Sequence, residues 1–380
     1  MNTLDQTEEQ AAFLRSAKEF AEQSLKPFAA QWDEEAIFPV DTLKAAADMG
    51  FMSLYTPESA GGLGLSREDS ALIFAELSKG CTSTAAYMTI HNMVAWMIGN
   101  WATEQARDQY LPSALTGDTL CSYCLTEPGA GSDAGNLQTK AEKVDGGYKL
   151  NGSKVFISGA GSTHTLVVMA RTGGAGPKGV SALIVEANSD GIRYGKKEDK
   201  MGWNSQPTRQ IHFDDVFVPD QNLMANEGDG FTLAMKALDG GRINIASCSL
   251  GTAYAAYEAA LAYVKDRKQF GKAIAEFQNT QFVLADMFTE LEVCKNMLIS
   301  AARHLDAAHP DATLQCAAAK RFITDHCYDV VDKALQLHGG YGYIKEYPIE
   351  RHLRDLRVHR ILEGTNEIMR SIVARRILAD

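Results

Sequence analysis

The sequence predicts an α+β protein with an N-terminal helical domain, a middle β domain and a C-terminal helical bundle. Apolar residues recur at spacings of three and four from about residue 8 to residue 115, and again from Gly230 onward. Between these regions the rhythm changes to short runs rich in β-branched and aromatic residues, separated by Gly, Asn and Asp turns. We therefore expect three domains, at residues 1–116, 117–227 and 228–380.

The N-terminal region contains four segments with helical periodicity. They read AAFLRSAKEFAEQSL, VDTLKAAADMGF, REDSALIFAELSKG and STAAYMTIHNMVAWMIGN. Ser66, which precedes acidic residues, is typical of a helix start, and Gly80 is typical of a helix end. One helix is therefore expected to run between these two residues.

The middle region predicts strands in GYKLNGSKVFISGA, THTLVVMARTGG, GVSALIVEA and QIHFDDVFVP. Its glycine clusters GAGSDAG, SGAG and GGAGPKG do not lie between a strand and a helix, as a dinucleotide-binding βαβ unit requires. The sequence therefore favours a small all-β domain over a Rossmann domain.

The C-terminal region contains long amphipathic stretches that suit a helical bundle. The stretch 244–264, with its run IASCSLGTAYAAYEAALAYV, is apolar on more than one face. Such a helix needs several packing partners. Either a larger bundle core or contact with further copies of the chain would supply them.

Charge and composition exclude several classes of protein. A formal net charge of -11 gives no overall attraction for nucleic acid or anionic lipid. No apolar run reaches the roughly eighteen residues of a membrane-spanning helix, so no membrane insertion is expected. The N-terminus carries acids where a targeting peptide carries basic residues, which predicts a bacterial cytoplasmic protein or a processed chain of the mitochondrial matrix.

The seven cysteines are expected to be free thiols in a reducing compartment. Only Cys121 and Cys124 form a CxxC pair, and they lie within a β-like run without a second pair. A redox or zinc role for this pair is therefore the weaker interpretation. The nine histidines lack metal-ligand spacing, and no metal site is expected.

Four local patterns have both a functional and an ordinary interpretation. The run Ser122–Gly135 ends in a Gly-rich turn that could hold a pyrophosphate or simply close a strand. Phe156 and Ser158 alternate on a strand and would share one face. Glu363 could be a functional carboxylate or a charge favoured by a helix start. Arginines recur every three residues from 351 to 360, interleaved with Glu350 and Asp355, which favours a salt-bridged helix face over phosphate binding.

Five tracts together are far more specific than any one of them. They read YCLTEPGAGSD, NGSKVFISGAG, DRKQFGKAIAEFQ, ALQLHGGYGY and ILEGTNEIMR. In this order, and over essentially the whole chain, they resemble the acyl-CoA dehydrogenase family. The resemblance implies the acyl-CoA dehydrogenase fold, with a β-barrel-like middle domain and a C-terminal four-helix bundle, assembled as a homotetramer.

The resemblance also implies FAD as the cofactor. Phe156 stands where the family often has Trp against the flavin. The residues expected to line the flavin are Tyr123, Thr126, Gly131, Ser132, Phe156, Ile157 and Ser158. Those expected to reach the FAD of a neighbouring subunit are Arg267, Gln269, Gln278, Gln336, Leu337, His338, Gly339 and Gly340. Thr365 and Glu367 match further FAD contacts.

By the same resemblance Glu363 is the catalytic base. One branch of the family carries its base immediately before the Arg of the tract LDGGR, where this chain has Gly241. The implied reaction is removal of a substrate α-proton by Glu363 and transfer of the β-hydride to the flavin. The residues expected to contact the acyl-CoA substrate are Ser132, Asp239, Arg242, Gly364 and Arg375.

Within the family, the tracts GCTSTAAYMTIHNM, KMGWNSQPTR and LDGGRINIASCSLG are most similar to members that oxidise isobutyryl-CoA in valine breakdown. The expected product is methacrylyl-CoA, and the expected electron acceptor is electron-transfer flavoprotein. The alternative substrates are 2-methylbutyryl-CoA and butyryl-CoA. An acyl-CoA oxidase, or a non-catalytic scaffold that binds CoA or flavin, are the alternative kinds of protein.

Overall fold

A computed structural model of the chain describes residues 7–379. The structure confirms an α+β fold in which helices precede and follow a β region. The helices before the β region are α1 (Glu8–Phe20), α2 (Ala29–Glu34), α3 (Val40–Asp48), α4 (Arg67–Gly80), α5 (Thr82–Trp101) and α6 (Glu104–Leu115).

Helix α4 begins and ends where the sequence predicts. The Ser66 hydroxyl accepts the Asp69 N–H at 2.9 Å and so satisfies a backbone donor of the first turn. Gly80 is the last residue of the helix. A Cβ at Gly80 would lie 2.6 Å from the Ala21 carbonyl oxygen, so glycine allows close packing against the N-terminal helices.

The β region forms one eight-stranded sheet in the order β6-β7-β3-β2-β4-β5-β8, with β1 parallel to β4. Its strands are β1 (Cys121–Cys124), β2 (Lys140–Val144), β3 (Gly147–Ser158), β4 (Thr165–Arg171), β5 (Val180–Glu186), β6 (Ile192–Tyr194), β7 (Thr208–Pro219) and β8 (Leu223–Met224). A short hairpin, β9 (Lys268–Gln269) and β10 (Lys272–Ala273), lies later in the chain.

The sheet is buried on both faces at its centre. Along β4, Leu166 and Val168 pack with residues of β3 and β7, whereas Val167 and Met169 pack with α5 and α6. This alternation follows from the two-residue period of a strand. The sheet thereby joins its own core to the N-terminal helices.

The CxxC pair lies on β1. Cys121 faces the core shared with the helices, and Cys124 faces the core within the sheet. Burial raises the pKa of each thiol to about 12. The two side chains therefore point into different cores, as buried free thiols.

The C-terminal region forms a helical bundle. Its helices are α7 (Gly230–Asp266), α8 (Gln278–Asp306), α9 (Ala312–His338), α10 (Ile349–Arg357) and α11 (Asn366–Ile377). Helix α7 is buried on several sides because it packs against α4 and α5 as well as α8 and α9. A Cβ at Gly251 would lie 1.8 Å from the Ala75 carbonyl oxygen, so this glycine lets α4 and α7 approach.

Two of the four arginines in the predicted salt-bridged face, Arg354 and Arg360, form ion pairs. Arg354 pairs with Glu350 and with Asp33, each at 2.6 Å, and Arg360 pairs with Asp325 at 2.9 Å. Asp355 takes no part in these pairs. It is buried and accepts the Trp203 N–H at 2.6 Å.

Residues 7–379 contain neither a membrane-spanning helix nor a cluster of potential metal ligands. No helix in this range is both long and apolar enough to span a membrane. Over the same range, no group of three or more His, Cys, Asp or Glu residues is placed to hold a metal ion.

Candidate active site

Glu363 lies in the turn between α10 and α11. Its φ of 56° and that of 88° at Gly364 put two consecutive residues in the left-handed region. A residue with a Cβ in this region costs on the order of 1 kcal/mol or more, so the surrounding structure must hold it there. Thr365 then begins α11, since its hydroxyl accepts the Ile368 N–H at 3.3 Å.

The Glu363 carboxylate is held in an environment that disfavours its charge. Its Oε2 atom is buried and has no hydrogen-bond partner among the described residues. Burial raises the pKa of Glu363 to about 7, although the positive charges of Arg242 and Lys320 act in the opposite direction. Such a carboxylate is suited to accept a proton near neutral pH.

Gly241 on α7 leaves the space that this carboxylate occupies. A Cβ at Gly241 would lie only 2.4 Å from Glu363 Oε2. A side chain at position 241 would therefore displace the carboxylate. Residues separated by more than one hundred positions in sequence thus meet at one point.

Two cations hold the backbone of the Glu363 turn. Arg242 Nε lies 3.5 Å from the Glu363 carbonyl oxygen, and the same guanidinium pairs with Asp239 at 2.6 Å. Lys320 Nζ donates to the Gly364 carbonyl oxygen at 2.7 Å. The predicted residues Asp239, Arg242 and Gly364 are therefore brought together with Glu363, along with Lys320, which the sequence reasoning missed.

Tyr123 brings strand β1 to the same site. Its hydroxyl is buried and has no hydrogen-bond partner within residues 7–379. Burial raises the pKa of Tyr123 well above its ordinary value, and the negative charge of Glu363 adds to this effect. Tyr123 and Glu363 thus present two buried polar atoms without hydrogen-bond partners among the described residues.

The loop after β1 is held from beneath by a buried ion pair. Lys154 Nζ lies 2.8 Å from Glu127 Oε1 and donates to the Leu125 carbonyl oxygen at 2.9 Å. The Glu127 carboxylate also accepts the N–H groups of Gln138 and Thr139. Burial disfavours the Glu127 charge, but Lys154 and these donors outweigh it and lower the pKa of Glu127.

The loop and strand β3 present an open surface near this site. The Thr126 carbonyl oxygen accepts the Val155 N–H at 2.9 Å, which places the loop beside Phe156. A β-bulge between Lys154 and Ile157 puts Phe156 at a φ of 57°, with its ring 70% exposed. The simple alternation expected from the sequence is thus interrupted. Ile157 points into the core of the sheet.

This surface fits a flavin. Phe156 offers an exposed aromatic face, and Ser158 follows it on the same strand. A Cβ at Gly131 would meet no atom within 4 Å, so the Gly-rich turn leading to the exposed Ser132 is open to a ligand. Backbone N–H groups of such a turn can hold phosphate oxygens.

A second set of predicted residues forms a separate groove of about 440 Å³. Arg267 lies here, with its guanidinium carbon 5.6 Å from the centre of the Tyr341 ring. His338 is buried and stacks on Tyr263. The predicted residues that line the groove are Arg267, Gln269, Gln336, Leu337, His338, Gly339 and Gly340.

Three predicted residues lie outside these two clusters. Gln278 starts α8 beyond the lining of the groove. Glu367 is exposed in the first turn of α11, and its own N–H and the Thr365 side chain lower its pKa. Arg375 is exposed in the last turn of α11, roughly 15 Å along the helix from Thr365.

The three residues missed by sequence reasoning had different signals. Lys320 interrupts the apolar stripe of Cys316, Ile323 and Cys327 on α9, and a lysine in such a stripe is a visible anomaly. Glu127 and Lys154 lie within quoted tracts, but nothing local indicates that they pair.

Half-buried Glu363, with its buried and unpaired Oε2, and an open aromatic and glycine-rich surface are thus the two features of the candidate site. Comparisons with known proteins give the family. The profile of the acyl-CoA dehydrogenase N-terminal domain matches residues 7–118, that of the middle domain 122–216, and that of the C-terminal domain 228–378. The chain belongs to the acyl-CoA dehydrogenase family and is an FAD-dependent oxidoreductase.

Individual relatives agree with the family over nearly the full chain. Mitochondrial isobutyryl-CoA dehydrogenase of Bos taurus is 49% identical over 98% of this chain and 90% of its own length. The enzyme of the same name from Dictyostelium discoideum is 51% identical over the same shares. A solved FAD complex of PigA is 30% identical with a TM-score of 0.94, over 99% of both chains.

Proposed function

We propose that the chain converts isobutyryl-CoA to methacrylyl-CoA, with Glu363 as the base that removes the α-proton. The observation that carries this proposal is the buried, unpaired Oε2 atom of half-buried Glu363 beside Gly241. Two isobutyryl-CoA dehydrogenases at about half identity support the choice of substrate.

The residues of the chain prepare the proton transfer in three ways. Burial holds the pKa of Glu363 at about 7, so the carboxylate accepts a proton more readily than an exposed one would. The left-handed turn fixes its direction, and Arg242 and Lys320 hold the turn. The Glu363 N–H is proposed to donate to the thioester oxygen, which stabilises the developing enolate. When bound, FAD supplies the acceptor for the β-hydride.

The proposed FAD contacts come from two parts of the fold. Phe156 and Ser158 would lie against the flavin ring, and Thr126 and Ser132 would hold the rest of the group from the Gly-rich loop. The groove that contains Arg267 would receive FAD of a neighbouring subunit. Separate clusters within one chain support this division between two subunits.

The proposed substrate contacts surround the base. Arg242, paired with Asp239, would lie on the substrate side of α7, and Gly364 would border the acyl group. Gly241 keeps the region beside the carboxylate free of a side chain, which suits a substrate branched at its α carbon. Arg375, at the exposed end of α11, would reach the CoA moiety.

The proposed assembly is a homotetramer that passes electrons to electron-transfer flavoprotein in valine catabolism. Large apolar side chains are exposed on α8, including Phe282, Phe288 and Val293. Contact with further copies of the chain would cover them. Both curated relatives are mitochondrial, so the proposed compartment is the mitochondrial matrix or, in a bacterium, the cytoplasm.

The test is an anaerobic titration of the purified holoprotein, with the flavin absorbance as the readout. Isobutyryl-CoA should bleach the oxidised flavin more readily than butyryl-CoA or 2-methylbutyryl-CoA. A preference for either of the other thioesters would overturn the proposed substrate. Glu363→Gln should keep FAD and lose turnover, and undiminished turnover would overturn the proposed base. Rapid reoxidation by O2 would identify an oxidase instead.

A further inference from the structure

Lys320 occupies a position that is unusual for a lysine. It lies on the core-facing stripe of α9, between Cys316 and Ile323, and its side chain is fully buried. Burial lowers the pKa of Lys320 to about 7, because a charge is costly away from water. Burying a lysine here destabilises the folded protein unless its ammonium makes compensating interactions.

The bonds of Lys320 connect α9 to the turn that carries Glu363. Its Nζ donates to the Gly364 carbonyl oxygen at 2.7 Å and to Asn366 Oδ1 at 2.9 Å. Asn366 donates in turn to Thr324 Oγ1 at 3.0 Å and Asp325 Oδ1 at 2.9 Å. Lys320 therefore fixes the backbone on the C-terminal side of Glu363.

The charge of Lys320 is not neutralised by a bonded carboxylate within residues 7–379. Arg242, the other cation at this turn, is already paired with Asp239. The nearest negative charges that act on Lys320 include the Glu363 carboxylate itself. Other titratable and charged groups surround Lys320 and Glu363. They are Tyr123 on β1, Asp239, Arg242 and Cys316 from the helical bundle, Asp325 on α9, His359 before the turn and Glu367 on α11.

We propose that Lys320 is the positioning residue and counter-charge of the Glu363 base, fixing its turn through Gly364 and favouring the ionised form of its carboxylate. This inference rests on the proposed role of Glu363. Its ammonium favours the carboxylate form before proton transfer. When Glu363 takes the α-proton it becomes neutral, and Lys320 transfers no proton in this step.

The experiment compares Lys320→Met, Lys320→Gln and a control, Lys333→Met, in the holoenzyme. Lys333 lies on the same helix but pairs with Glu290 at a partly exposed position. The apparent pKa in the pH profile of kcat/KM for isobutyryl-CoA should rise by about one pH unit or more in both Lys320 variants. The control should keep the wild-type profile. Lys320→Gln can still donate to Gly364, so it should lose less kcat than Lys320→Met.

A second readout does not depend on turnover. Glu363→Gln removes the titrating carboxylate, so the gain in Tm that it causes should grow with pH and stop growing at the pH where Glu363 is fully ionised. In a Lys320→Met background that pH should also rise. Unchanged pH dependence in both readouts would overturn the inference. If Lys320→Met loses kcat equally at every pH, Lys320 has only a structural role. That result would also overturn the inference.

The two readouts separate this inference from the proposed function. If Glu363→Gln retains full turnover, the base assignment fails, and the melting comparison alone decides whether Lys320 acts on the Glu363 charge. If Glu363→Gln is inactive but the Lys320 variants keep the wild-type profile and melting dependence, the proposed base stands and the inference about Lys320 fails.

Discussion

Two buried lysines hold two loops of the site, and they differ in how fully the carboxylate nearby is satisfied. In the loop after β1, Lys154 bonds Glu127 directly, and backbone N–H groups complete the carboxylate. In the turn before α11, Lys320 bonds only neutral acceptors, and Glu363 Oε2 is left without a partner. In the first arrangement the carboxylate is fully hydrogen-bonded and is not free to accept a proton. The second leaves a carboxylate ready to bind a proton.

This difference shows how one fold separates support from chemistry. A fully bonded buried ion pair fixes the geometry and strongly resists change. A partly bonded carboxylate is destabilising for the folded state but chemically useful. The following predictions test whether the two loops differ in this way, beginning with the largest expected effect.

Lys154→Met should lower the free energy of unfolding by about 3–5 kcal/mol, because it leaves the Glu127 charge buried without its cation. Chemical denaturation of the holoprotein measures this change. Lys140→Met is the matched control, since the Lys140 pair with Glu142 is exposed and should contribute less than about 1 kcal/mol. Equal stability of the two variants would mean that the buried pair does not hold the loop.

Gly241→Ala should reduce kcat about 100-fold, because a displacement of the base by about 1 Å is enough for such a loss. The new methyl group would meet Glu363 Oε2, whereas helical propensity at this position would improve. The measurement is steady-state turnover with isobutyryl-CoA.

The control for that variant is Gly240→Ala on the same helix. Its Cβ would meet the guanidinium of Arg67 rather than the Glu363 carboxylate. We expect turnover within a few-fold of the wild-type value. Similar losses in both variants would point to general disturbance of α7 rather than to contact with the base.

Glu363→Gln should make the folded protein more stable than the wild type, and the gain should grow with pH. The folded-state pKa of Glu363 is raised from 4.5 to about 7. Wild-type stability from this group is therefore fully present below pH 4.5 and is lost as pH rises through about 7. Gln has no such proton to lose, so its advantage should reach about 3 kcal/mol above neutral pH.

Thermal unfolding of both proteins between pH 5 and pH 8 checks this dependence. Glu127→Gln is the comparison from the other loop, and it should destabilise the protein at every pH in that range because Glu127 is a bonded, ionised partner of Lys154. A Glu363→Gln advantage that does not change with pH would contradict the raised pKa of Glu363.

The sequence by itself determined the α, β, α order and the local ends of elements such as α4. These features depend on apolar periodicity and on bonds between residues three positions apart, such as Ser66 and Asp69. Five tracts in order also led to the family and so to FAD. Glu363 was identified through its tract, since its immediate neighbours indicated nothing more specific than a helix start.

Only the tertiary structure decided what surrounds Glu363. Gly241 and Lys320 are distant from it in sequence, and periodicity carries no information on which distant side chains meet. The bulge that turns Phe156 outward likewise depends on pairing with β7, not on the residues of β3 alone. The raised pKa of Glu363 comes from burial, and the need for glycine at position 241 comes from the close approach of the carboxylate. Burial and close approach both arise only when helices and strands pack in three dimensions.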